Sequence, residues 1–164
     1  MIDKDLLNSK ILIVDDLESN IDIIKGLLEI DGYKNVESTT DSRDVMKLVK
    51  SFDPDLILLD LMMPHLSGFE VMELLKAEQL KSLDPLKYLP ILVLTADVNP
   101  EVRRRALSGG AKDFVSKPFD LIEVSLRIKN LLETQYLYQL LKMKKEAMEE
   151  KIITFLKIND EWYR

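Results

Sequence analysis

Short apolar runs alternate along the chain with longer stretches in which apolar residues return every three or four positions. Lys10 to Val14 reads as a buried strand, and Ser19 to Ile30 then places Ile21, Ile24, Leu27 and Leu28 on one helical face. Asp31-Gly32 stops that helix. Asn35 to Ser38 predicts a second strand. Asp41 or Ser42 caps a helix carrying Val45, Leu48, Val49 and Phe52, which ends before Asp53-Pro54. Leu56 to Leu59 is the third strand. After the Met63-Pro64 turn, Ser67 caps a helix with Phe69, Met72 and Leu75 on one face. Leu80 to Leu89, holding Asp84-Pro85, reads as a polar, lengthened loop. Pro90 to Leu94 is the fourth strand, and Pro100 opens a helix through Leu107 from the first-turn position that proline favours. Gly109-Gly110 ends it, Asp113 to Val115 is a brief fifth strand, and Asp120 begins a last helix with Leu121, Val124, Ile128, Leu131 and Leu132 at helical spacing.

Strict alternation of strand and helix implies a parallel sheet with right-handed crossovers and helices on both faces. The unbroken apolarity of LILL and ILVL fits central strands buried on both sides. The chain therefore reads as one doubly wound α/β domain over about residues 8 to 133, followed by a helical tail, with no internal repeat.

Composition narrows the chemistry. A 164-residue chain, 46% hydrophobic and 32% charged, is long enough to bury a real core and unlike a disordered polymer. No apolar stretch is long enough to cross a bilayer and the N-terminus lacks a signal-peptide core, so the expected compartment is the cytoplasm, with no membrane partner. Zero cysteines exclude thiolate metal sites, and the single His65 excludes a multi-histidine centre. A net charge of -6 argues against direct nucleic-acid binding and favours a cation.

Four of the runs deliver a particular polar residue at or just past their C-terminal ends: Asp15-Asp16, Asp60, Thr95 and Lys117. In an open parallel sheet these ends share one crevice, which would gather three carboxylates, a hydroxyl and an ammonium. Singly, each Asp reads as a turn former or helix cap. Together, the carboxylates would repel one another and raise their proton affinity unless a cation intervenes. Mg²⁺ suits such an oxygen-rich site. His65, beside Pro64, reads as a solvated turn residue, and Met62, Met63 and Met72 read as loop and packing residues.

The motifs VDD ending at Asp16, LLDLMMPHLSG around Asp60, LTA around Thr95 and GAKDFVSKPF containing Lys117-Pro118 resemble, in order and spacing, the receiver domain of two-component response regulators. The resemblance covers about four fifths of the chain. It implies a flavodoxin-like (βα)5 sheet of order 2-1-3-4-5 over residues 1–133, with residues 134–164 as a helical extension or linker. It implies that Asp60 is a phosphoacceptor and that Mg²⁺ is held by Asp16 directly, by Asp15 mainly through water, and by Asp60 and the Met62 backbone carbonyl. Lys117 would pair with the carboxylate and then with the phosphoryl group, Thr95 would bond that group, and small Ala96 would leave room for it. Pro118 would follow a cis peptide bond, and Phe114 would be the aromatic that follows Thr95 in a switch of the face from about Asp97 to Leu126.

The partners so implied are a sensor histidine kinase or phosphotransfer protein, a downstream protein or a C-terminal output domain, and a second copy of the chain through the tail. There Leu137, Leu141, Met148, Ile152 and Phe155 form an apolar stripe interrupted by Lys144, giving a weak coiled coil, a helix folded back on the domain, or a frayed linker. The resemblance implies a phosphoacceptor with slow autodephosphorylation and not an enzyme in its own right. A haloacid-dehalogenase-type phosphohydrolase would need an Asp where Met62 stands. A flavodoxin-like nucleotide binder would not place Asp16-Leu17-Glu18 after its first strand. The strongest rival is a degenerate receiver acting only as an interaction module, yet no phosphorylation residue is missing.

Overall fold

The structure, a computed structural model, describes residues 5–82 and 88–162. Strand β1 (Lys10–Val14) leads to helix α1 (Glu18–Asp31) and strand β2 (Asn35–Thr39). A single 3₁₀ turn (Ser42–Asp44) runs into α2 (Val45–Phe52), followed by β3 (Leu56–Leu59) and α3 (Gly68–Lys81). Strand β4 (Ile91–Thr95), α4 (Pro100–Ser108), β5 (Asp113–Ser116) and α5 (Leu121–Trp162) complete the chain. The sheet order is β2-β1-β3-β4-β5, as the family resemblance implies, with every neighbour parallel, as the alternation of strand and helix implies.

Period-two alternation within the strands divides the core. Ile11, Ile13, Leu56, Leu58, Leu92, Leu94 and Val115 face α1 and α5, packing against Ile21, Ile24, Leu28, Val124, Ile128 and Leu132. Leu12, Val14, Ile57, Leu59 and Val93 face the other way, onto Val45 of α2, Val71, Met72 and Leu75 of α3 and Ala106 of α4. All four residues of β3 are completely buried, which is why LILL shows no alternation in sequence.

The element ends follow local chemistry. Gly32 takes φ 93° at the end of α1, a left-handed cap that glycine adopts without a steric penalty. Ser67 and Glu70 form a reciprocal capping box at the start of α3. Asn99 caps α4 ahead of Pro100, and the Asp120 carboxylate accepts the Ile122 and Glu123 amides at the start of α5.

Several element ends shift by a residue from the sequence reading, and the largest departure is at α3. Leu80 and Lys81 belong to α3, because the helix carries on through EQLK before Ser82 turns extended; Asp84-Pro85 lies outside the described residues. Of the alternatives left open for the tail, the described residues show the continuing helix: α5 is one helix of 42 residues. Its first part is anchored, whereas every residue from 143 to 158 is exposed.

Candidate functional site

Parallel strands put their carboxyl ends on one edge, and the backbone holds the polar residues there in register. The Asp60 amide donates to the Val14 carbonyl at 2.9 Å, Asp15 to Thr39 at 3.3 Å, and Lys117 to Thr95 at 2.8 Å. Residues far apart in sequence are thus fixed at neighbouring strand ends.

Lys117 Nζ lies 2.6 Å from Asp15 Oδ2 and 3.1 Å from Asp60 Oδ2. Asp15 is 4% exposed and Asp60 5%, so this ammonium neutralises two carboxylates largely removed from water. Asp16 is less buried, and one carboxylate oxygen from each of Asp15, Asp16 and Asp60 lies within 4.8 Å of the others. Burial pushes the Asp60 carboxyl above its ordinary range, offset by Lys117 and raised further by Asp15. The main cause is therefore desolvation, ahead of the repulsion between carboxylates expected from sequence.

Asp15 also shapes its own turn: Oδ1 accepts the Leu17 amide, and both oxygens accept Asn20 Nδ2 at 3.0 and 3.1 Å. The turn-forming reading and the site reading hold together for this residue. Asp60 Oδ1 accepts the amide of Met62, whose side chain is 64% exposed and takes no part in the pocket. Leu61 is buried, and Gly68 backs against this segment. A Cβ at Gly68 would stand 2.3 Å from the Asp60 carbonyl oxygen and 2.8 Å from Leu61 Cα, so only glycine permits the approach of α3 to the end of β3.

Thr95 is fully buried and its Oγ1 accepts the Asp97 amide at 3.4 Å, while Ala96 is exposed at the rim. The Lys117-Pro118 peptide is cis. Phe114 lies inside, 6% exposed among the second core layer, with the Arg103 guanidinium 5.7 Å from its ring. His65 sits in the turn after Asp60 with φ 69°. The site residues read from sequence thus converge on this edge, with Phe114 behind it in the core.

A family model described as the response regulator receiver domain matches residues 11–129. The chain belongs to the response regulator receiver family. Among curated relatives this receiver is 36% identical over 148 residues to the alkaline phosphatase synthesis transcriptional regulatory protein PhoP of Bacillus subtilis, covering 90% of this chain and 58% of the relative. It is 37% identical over 122 residues to the response regulator SaeR of Staphylococcus aureus, covering 74% and 50%. The chain spans about half the length of these relatives. A CheY-like receiver structure from Methanospirillum hungatei aligns with TM-score 0.68 at 28% identity, over 79% of this chain and 97% of that one. A Francisella receiver aligns with TM-score 0.68 at 26% identity, over 77% and 98%.

Receivers bind Mg²⁺ at this acidic pocket, and the donors here fit a hard divalent cation: three converging carboxylates with no nitrogen or sulfur among them. Among the described residues no helix is long and apolar enough to cross a membrane. Three supporting residues escaped the sequence reading of individual roles. Asn20 clamps Asp15, Gly68 admits the backbone of Asp60, and Ser42, expected as a cap, is buried with its hydroxyl on the loop after Asp60. Only Gly68, next to the Ser67 cap, carries any local signal.

Proposed function

We propose that this receiver accepts a phosphoryl group on Asp60. The observation that carries the reading is the buried Asp60 carboxylate paired at 3.1 Å with Lys117, with Asp15 and Asp16 converging on the same point. In the reaction the P–N bond of a donor phosphohistidine, or the P–O bond of an acyl phosphate, breaks as an Asp60 oxygen bonds to phosphorus. The electron pair leaves with the donor. Asp16, Asp60 and the Met62 carbonyl would hold Mg²⁺, with Asp15 acting mainly through water; the ion supplies neutralisation of phosphoryl oxygen charge.

Lys117 releases its bond to Asp60 and takes a phosphoryl oxygen as a point-charge donor. The Thr95 hydroxyl, which accepts a long contact from the Asp97 amide, turns toward the same group, and the Ala96 methyl leaves space there. Phe114 already occupies the inner position, so the switch on this reading falls on Thr95 and the loop leading into α4 more than on rotation of the ring. The altered face, about Asp97 to Leu126, then exchanges partners. The donor is a sensor kinase or phosphotransfer protein, and the output lies in a downstream protein or domain. The phosphoryl group is lost slowly by hydrolysis, and the protein works in the cytoplasm.

Intact mass after incubation with acetyl phosphate and Mg²⁺, comparing wild type with Asp60→Asn, tests this. A single phosphoryl adduct on the wild type alone, abolished by chelator, is expected. A folded wild type that gains no adduct from acetyl phosphate or a phosphohistidine donor would overturn it.

A further inference from the structure

Between β2 and α2 the chain makes a turn that is bonded to both arms of the acidic pocket. On one side the Thr39 carbonyl receives the Asp15 amide at 3.3 Å. On the other, Ser42, 2% exposed, donates its hydroxyl proton to the Pro64 carbonyl and accepts the Leu66 amide, each at 3.0 Å. Those two groups bracket His65, which holds φ 69°. This is an uncommon conformation for a residue with a side chain, and it persists only where the surroundings fix it. The turn is itself braced: Thr39 Oγ1 accepts the Asp41 amide, and Asp41 accepts the Arg43 amide and pairs with the Arg43 guanidinium at 2.6 Å.

The segment that Ser42 holds begins three residues before Pro64, at Leu61, and carries the Met62 carbonyl. Resting on the receiver reading above, we infer that Ser42 is a positioning residue for the divalent cation, holding in place the 61–66 loop, whose Met62 amide already bonds Asp60 Oδ1. A buried hydroxyl with both its donor and its acceptor spent on one loop fixes that loop's distance from the sheet edge. Alanine would leave the Pro64 carbonyl and the Leu66 amide without this partner, and the loop would loosen while all the carboxylates stayed in place.

The test measures Mn²⁺ and Mg²⁺ dissociation constants by calorimetry on the full chain, with Leu66 amide exchange by NMR. Ser42→Ala is expected to speed Leu66 exchange and to weaken cation binding about tenfold, the scale seen when outer-shell partners of metal ligands are removed. In acetyl phosphate reactions the half-saturating Mg²⁺ concentration should rise about tenfold, with the limiting rate at saturating Mg²⁺ unchanged. Ser42→Thr, which keeps the hydroxyl, should restore affinity, and Ile24→Val, a core change on the far face, should leave it untouched. Faster Leu66 exchange in Ser42→Ala with unchanged affinity would overturn the inference. So would equal loss of affinity in Ile24→Val. A wild type that binds no divalent cation would overturn the receiver reading along with it, whereas normal wild-type binding and phosphorylation with a silent Ser42→Ala would remove this inference alone.

Discussion

At the carboxyl edge of the sheet, Asp15 and Asp60 are nearly buried and share the ammonium of Lys117; at the amino edge, Asp5 and Asp55 meet neutral donors. There Tyr136 donates to Asp5 at 2.9 Å, and Asp55 accepts Gln139 Nε2 at 2.6 Å and the Lys10 amide at 2.8 Å. Tyr138 stacks on Tyr88 with centroids 4.5 Å apart. The amino edge thus fastens the first part of the α5 extension with exposed hydrogen bonds. The carboxyl edge concentrates charge on Asp15 and Asp60, which are largely removed from water. One edge holds the last helix, the other gathers charge around a single ammonium.

The contrast breaks most visibly at Lys117. Lys117→Ala leaves two buried carboxylates without their cation, and removing one partner of a buried ion pair costs about 3 kcal/mol or more. Urea denaturation without divalent ions should show that loss, and Mg²⁺ should restore part of it. A change below about 1 kcal/mol would mean that solvent, not Lys117, neutralises the pocket.

Next in size is the cation itself. Saturating a native-state site at a hundredfold over its dissociation constant adds about 2.7 kcal/mol. Wild type should melt higher in Mg²⁺ and fall back with chelator, while Asp16→Asn should lose most of that response and keep its baseline stability. An equal response in Asp16→Asn would place the ion elsewhere.

At the amino edge a smaller effect is expected. Tyr138→Ala removes a stacked pair worth about 1 kcal/mol and should loosen α5 beyond Glu133 without altering Mg²⁺ affinity. Amide exchange along α5, measured beside a cation titration, separates the two edges; a shift in affinity would show that they are coupled.

What was readable in sequence divides along the same line. The strands and the polar residue ending each run follow from LILL, ILVL and their neighbours, because period and position are local properties, whereas the strand order came from the family resemblance and not from periodicity. Burial as the main cause of the Asp60 shift was not readable, since it depends on how Leu61, Gly68 and α3 close over the strand end. Nor was Ser42, whose hydroxyl bonds residues 22 and 24 positions away. The end of α3 was misplaced because EQLK is polar and its helical continuation shows no apolar stripe. The tail's apolar repeat fitted a coiled coil, a fold-back or a linker equally well, since periodicity names a face and not what covers it.

The finest test concerns Asp60 alone. Because burial holds its carboxyl above the ordinary value, the folded state binds that proton more tightly than the unfolded chain does, and the ionised form costs stability. That cost is absent below the ordinary carboxylate range and is felt fully once pH rises above the folded-state value. Asp60→Asn is neutral at every pH and leaves Lys117 paired with Asp15 at 2.6 Å. Without divalent ions it should therefore melt above wild type at pH 7.5, with the gap closing toward pH 3.5. If Asp60→Asn melts lower at pH 7.5, the attraction of Lys117 outweighs desolvation, and the carboxyl edge holds the fold together as the amino edge does.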